Sequence, residues 1–167
     1  VAIETGGKIT AKNAAGFAIE NNGTIENITA FGNTVTVTGE NGNAGGITGT
    51  NSGSVDNVES TGSVIAGGNN VNNVAGGLVG TNTANGIVNN SYSNSTVTAS
   101  SGATEALGGV AGVNAGKVSL VDSLGVTNGG AHYISSVGGV IGINNGTLNS
   151  AYNESIVSGK NDVGGII

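Results

Sequence analysis

The stretch Gly76-Gly77-Leu78-Val79-Gly80-Thr81-Asn82 decides the fold, because the chain rewrites it at regular intervals. The same phrase recurs as Gly45-Gly46-Ile47-Thr48-Gly49-Thr50-Asn51, Gly108-Gly109-Val110-Ala111-Gly112-Val113-Asn114 and Gly138-Gly139-Val140-Ile141-Gly142-Ile143-Asn144. A degenerate copy, Ala15-Gly16-Phe17-Ala18-Ile19-Glu20-Asn21, precedes them, and a truncated one, Gly164-Gly165-Ile166-Ile167, closes the sequence. The copies start at 15, 45, 76, 108, 138 and 164, so the steps are 30, 31, 32, 30 and 26. Repetition at this period marks a solenoid or a propeller-like array.

Outward from the phrase, each repeat has two further parts. A turn glycine leads into Gly23-Thr24-Ile25, Gly53-Ser54-Val55, Gly86-Ile87-Val88, Gly116-Lys117-Val118 and Gly146-Thr147-Leu148. A β-branched run follows at 34–38, 63–65, 96–98, near Val126-Thr127, and at 155–158. Each part is short, alternating and bounded by Gly, Asn or Ser, which is a strand signature. Glycine at this density would cost about 1 kcal/mol per site in a helix, so almost no helix is expected. Three strands per coil of about 30 residues, stacked at the strand-pairing distance of about 4.8 Å, make an all-β β-solenoid (β-helix). Stacking predicts three apolar columns: Ile25, Val55, Val88, Val118 and Leu148; Phe17, Ile47, Leu78, Val110 and Val140; and Val35, Val64 or Ile65, Val97, Val126 and Val157. A propeller is the alternative, but four-strand blades need about 40 residues and aromatic signatures, and aromatics are 3% here. The segments 67–74, 100–105 and 129–133 are polar or irregular and are expected to bulge from the rod. Residues 1–14 read as a partial coil, 15–163 as five repeats and 164–167 as the start of a sixth, all one solenoid segment of a longer chain.

Composition narrows the function classes. The chain has 167 residues, 33 of them Gly, with no Pro and no Cys. Disorder fails as a reading, because 37% of residues are apolar and recur at fixed offsets. Collagen fails because Pro is 0 and Gly has no three-residue period. The net charge of −6 comes from 10 acids against four lysines: Lys8, Lys12, Lys117 and Lys160. That balance offers no positive footprint for nucleic acid and disfavours anionic membrane surfaces. No run approaches the roughly 18 apolar residues of a spanning helix, so membrane insertion is not expected.

Asn21, Asn51, Asn82, Asn114 and Asn144 occupy one place in every repeat. Aligned amides can hydrogen-bond from coil to coil and satisfy turn backbone, so these residues are read as a structural ladder; a glycan-contacting ridge is the other reading. The turn glycines Gly23, Gly53, Gly86, Gly116 and Gly146 are expected to take positive φ at the corner. No helix and no P-loop lysine follow the doubled glycines, so they do not make a phosphate loop. His132, the only histidine, has no imidazole, thiolate or carboxylate nearby in sequence and reads as loop decoration. Carboxylates are scattered singly; Glu26 with Asp56 in adjacent coils, and Glu59 with Asp122 with one coil between them, share offsets that would suit a carboxylate pair or Ca²⁺, but solvated charges explain them as well. Tyr92 and Tyr152 share an offset two repeats apart, as a sugar-stacking or interface surface would; Tyr133 is placed in a loop. The Thr34, Thr36, Thr38 and Thr96, Thr98 rows resemble ice-binding solenoids, but 62–66 and 124–128 break the array. Sequons at Asn22, Asn27, Asn89, Asn94, Asn145 and Asn153 arise readily in so Asn-rich a chain.

The phrase Gly76–Asn82, a following Gly, and a strand ending Asn90-Ser91-Tyr92 resemble the GLUG repeat; Leu148-Asn149-Ser150-Ala151-Tyr152 carries the same continuation. The first repeat departs with Ala15 and Ile19, and the fourth lacks the Asn-Ser-Tyr tail at 120–123. The resemblance implies a bacterial secreted or surface protein: an adhesin, a filamentous-haemagglutinin-like protein, or the non-catalytic part of an immunoglobulin-A-cleaving metallopeptidase. No catalytic residue comes with it. The expectation is a non-enzymatic structural or adhesive segment needing no cofactor, located outside the cell or at its surface. Its partners would be a protein or glycan receptor, or other copies through the coil ends. The accessory stalk of a secreted enzyme and a self-assembling filament are the alternatives, and open strand edges at both ends favour association.

Overall fold

A computed structural model describes residues 2–4, 7–68, 72–100, 103–130 and 133–167. The chain winds into a β-solenoid of about five coils, and among the described residues there is no helix. All strand pairing is parallel and falls into three sheets, one for each face of the coil.

The phrase face carries Ala18–Asn21, Thr48–Asn51, Val79–Asn82, Ala111–Asn114 and Ile141–Asn144 in sequence order. The long face carries Thr24–Val37, Ser54–Ala66 and Ile87–Ala99, then Lys117–Ser123 with Val126–Asn128 and Thr147–Asn153 with Ile156–Ser158; Ala2–Glu4 and Lys8–Ala11 pair with its first strand. The two strands expected after each turn glycine are therefore one continuous strand in the first three full coils. The third face lies before the phrase instead, at Ala14–Ala15, Asn43–Gly45, Asn73–Gly76, Ala103–Gly108, Tyr133–Gly138 and Asp162–Gly164. This corrects the ends of the expected bulges at 67–74, 100–105 and 129–133: Val74 and Thr104 are buried strand residues, and Tyr133 begins a strand rather than sitting in a loop. Residues 69–71, 101–102 and His132 lie outside the described residues.

Each long strand bends at one recurring position. Asn27, Asn57, Asn90, Leu120 and Ser150 have φ of 56°, 50°, 45°, 52° and 57°, all left-handed. Asn tolerates that region because its short amide bonds locally; Leu does so only under strain. The bend shifts the in–out alternation by one residue, so Ile25 and Ile28, Val55 and Val58, and Val118 and Val121 all point inward. Without it, the second member of each pair would face solvent.

Inside, the first column is in register throughout, Ile25 to Val55 to Val88 to Val118 to Leu148. In the second column Ile47, Leu78, Val110 and Val140 are fully buried, but Phe17 is 45% exposed. Ala18–Asn21, which follows Phe17, is the edge strand of the phrase face, and no described strand pairs with its outer side, so the corner at Phe17 is left uncovered. The third column runs Val35, Val64, Val97, Thr127, Val157. Thr127, not Val126, points inward, because the Ser93–Ser123 pairing and the break at Leu124-Gly125 fix the register. Two apolar clusters result, one beneath the phrase face and one beneath the strands that precede it. Along the long strands the inward residues change between the two clusters at buried Ser60, Ser93 and Ser123.

That serine row explains the second glycine of each phrase. A Cβ on Gly46, Gly77 or Gly109 would lie 2.1, 2.1 or 2.0 Å from the Oγ of Ser60, Ser93 or Ser123. The first glycine is as constrained: a Cβ on Gly76 or Gly108 would lie 1.9 or 1.8 Å from the carbonyl oxygen of Val79 or Ala111. The phrase is glycine-rich because backbones and hydroxyls occupy the space a methyl group would need.

Candidate functional site

Two rows of side chains stand out, one inside and one outside. The inner row is made by the last residue of each phrase-face strand, which parallel register places directly over its equivalents. Asn21 Nδ2 donates to Asn51 Oδ1 at 2.8 Å, Asn51 Nδ2 to Asn82 Oδ1 at 2.8 Å, Asn82 Nδ2 to Asn114 Oδ1 at 2.8 Å, and Asn114 Nδ2 to Asn144 Oδ1 at 2.7 Å. The same nitrogens donate to backbone carbonyls of the coil above: Ser54 O at 3.0 Å, Ile87 O at 3.1 Å and Thr147 O at 3.2 Å for Asn21, Asn51 and Asn114. The Oδ1 atoms of Asn21, Asn51, Asn114 and Asn144 also accept from the N–H of Gly23, Gly53, Gly116 and Gly146. Asn51, Asn82 and Asn114 are fully buried, and a buried amide is tolerated only with its bonds made.

Asn82 sits at the widened turn, where Thr83-Ala84-Asn85-Gly86 replaces the usual pair. Its Nδ2 reaches Gly86 O at 3.1 Å and Lys117 O at 3.4 Å, so the longer loop is tied to the same rung.

The turn glycines do not have the conformation expected of them. None of Gly23, Gly53, Gly86, Gly116 and Gly146 has positive φ; among the described glycines that conformation belongs to Gly32, Gly62, Gly68 and Gly130. Proximity selects glycine instead. A Cβ would meet Gly23 O at 2.0 Å from Gly53, Asn82 Oδ1 at 2.1 Å from Gly86, Gly86 O at 2.2 Å from Gly116 and Gly116 O at 2.2 Å from Gly146. Gly23, in the first of these turns, meets nothing within 4 Å.

The outer row runs along the long face: Thr29, Glu59, Tyr92, Asp122, Tyr152 in successive coils. Tyrosine alternates with carboxylate. A hydrogen bond to Glu59, with partial desolvation and that carboxylate's charge, raises the Tyr92 phenol above its ordinary pKa. Tyr152 Oη donates to Glu154 Oε1 at 2.7 Å, and that bond with the charges of Glu154 and Asp122 raises it likewise. The Glu26–Asp56 row beside it continues into Asn89 and Ser119; Asn89 Nδ2 donates to Asp56 Oδ1 and Ser119 Oγ to Asn89 Oδ1, each at 2.8 Å. Among the described residues no three of His, Cys, Asp and Glu gather closely enough to hold a metal ion.

Asn73 was not singled out by sequence, yet it is fully buried and pins the chain ahead of the third face. Its Oδ1 accepts from Gly42 N at 2.7 Å and its Nδ2 donates to Gly67 O. Only its adjacency to an exposed Asn72 in a polar run hid it.

Comparison with known proteins finds no matching family model, no matching curated protein and no matching solved structure.

Proposed function

We propose that this chain is a non-catalytic segment of a bacterial extracellular adhesin or surface fibre, serving as a rigid stalk and display surface. The amide ladder carries the reading. It ties five coils rung to rung and rung to backbone, a register lock that costs conformational entropy and brings no reactive group with it. A ladder of this kind lets the outer rows vary without loosening the stack, as a display scaffold requires. The likeness of the phrase to GLUG repeats, which occur in secreted and surface proteins, supports the same reading.

Compliance tests it. The chain is tethered in optical tweezers through handles in the first and last coils, in series with a single immunoglobulin-like domain. A stalk holds its length until a cooperative rupture at or above the force that opens the reference domain. Gradual coil-by-coil extension below that force would overturn the proposal.

A further inference from the structure

The long face has a hollow of about 290 Å³ where its first three full coils meet, lined by Asn27, Ile28, Thr29, Asn57, Val58, Glu59 and Tyr92. Two walls form it. One is the left-handed bend, where Asn57 Nδ2 donates to Asn27 Oδ1 at 2.7 Å and both side chains reach outward. The other is the outer row, where Thr29, Glu59 and Tyr92 stand side by side in register. Tyr92 is 39% exposed and stands beside Glu59, whose carboxylate raises its phenol pKa.

We infer that this hollow binds a single residue of a neutral saccharide, the Tyr92 ring meeting the apolar face of a pyranose and Glu59 and Asn57 its hydroxyls. The chemistry selects that class. An aromatic face carries a negative quadrupole that attracts polarised C–H groups, and an ionised carboxylate has about four lone-pair acceptor sites, more than one neighbouring phenol can use. An amide nitrogen has two hydrogens, and Asn27 takes one of those on Asn57. No lining residue is cationic, and the chain's charge is −6, so phosphate, sulfate and uronate ligands are repelled. A peptide adding as a strand finds no edge here, since Ser54–Ala66 is paired on both sides. A divalent cation finds one carboxylate, Glu59, among the lining residues. The volume, at the lower end for ligand pockets, suits one sugar ring rather than a long chain.

This assignment rests on the reading of the chain as a display segment, giving that surface a ligand class. Amide chemical shifts of the intact chain, followed during titration with chitotetraose, cellotetraose and mannotetraose, test it, with tetragalacturonate as the anionic control. At least one neutral probe should move the amides of residues 27–29, 57–59 and 92 saturably at millimolar concentration, while tetragalacturonate leaves them in place. Tyr92→Ala should weaken that binding by about tenfold or more. Tyr152→Ala, on the same row outside the hollow, should leave it unchanged and shows that the response is local. Absence of saturable shifts with every neutral probe, or equal binding by Tyr92→Ala and the parent, would overturn the inference. Tether compliance is measured without any sugar, so failure of the stalk reading would show separately.

Discussion

Removing one rung from the middle of the ladder should cost far more than its single side chain suggests. Asn82→Ala deletes one accepted bond, from Asn51, and donated bonds to Asn114 Oδ1, Gly86 O and Lys117 O. Three of the four are 3.1 Å or shorter. At a net contribution of about 1 kcal/mol each, they sum to about 3 kcal/mol. Two partners keep one bond elsewhere: Asn51 Nδ2 still reaches Ile87 O, and Asn114 Oδ1 still receives Gly116 N. The expected loss is therefore about 2–3 kcal/mol. With a urea slope of about 2 kcal/mol per molar, the unfolding midpoint falls by roughly 1 M. Asn72→Ala, at an exposed position ten residues before Asn82, should move it by under about 0.5 kcal/mol. Asn21→Ala should fall between, because Asn21 makes one ladder bond where Asn82 makes two. The isosteric Asn82→Asp sharpens the test. Its carboxylate would face Asn114 Oδ1 and Gly86 O, so burial and lost donors raise its folded pKa above the unfolded value. The stability it retains is then present in acid and is lost as pH rises through that raised pKa. Equal midpoints for Asn82→Ala and Asn72→Ala would refute the ladder as a stabilising element.

Other outcomes follow from single contacts. Gly77→Ala should lose about 1–3 kcal/mol or more by driving a methyl group into Gly109 O and Ser93 Oγ, whereas Gly23→Ala, with open space, should change denaturation by under about 0.5 kcal/mol. Leu120→Asn should raise the melting temperature by a few degrees, relieving about 1 kcal/mol of left-handed strain at an exposed residue. Thr127→Val should stabilise by about 1 kcal/mol in a urea melt, because the Thr127 hydroxyl is buried without a hydrogen-bond partner between Val97 and Val157. Phenolate absorbance should show Tyr92 and Tyr152 ionising above the ordinary tyrosine pKa; since both folded values are raised, what they contribute to stability is present at neutral pH and is lost as alkaline pH passes through them.

The period and the whole of the first apolar column were legible, and most of the other two, because in-register parallel stacking repeats the same requirement at the same offset. The Asn row was legible for the same reason. The third face was hidden: Asn73-Val74-Ala75-Gly76 is too small and too irregular to show alternation, although the closed interior buries it. Phe17 looked like a member of its column, but a residue's offset does not say whether a coil covers it. Val126 and Thr127 are both β-branched, and the break at Leu124-Gly125 removed the alternation that would have told them apart. The glycines taught a different lesson. Positive φ and close approach both select Gly, so sequence identified the positions without revealing that a neighbouring carbonyl oxygen, rather than a backbone angle, excludes the side chain. The left-handed bend escaped notice because Leu120 and Ser150 interrupt the Asn27, Asn57, Asn90 row that would have announced it.

The central claim is an in-register parallel stack, and methyl–methyl nuclear Overhauser contacts in a selectively labelled sample test it most directly. The stack predicts a chain of contacts from Ile25 to Val55, Val55 to Val88, Val88 to Val118 and Val118 to Leu148, each joining residues one coil apart. Contacts confined to neighbours in sequence, or a pattern linking Val55 to Val118 without Val88 between them, would contradict it.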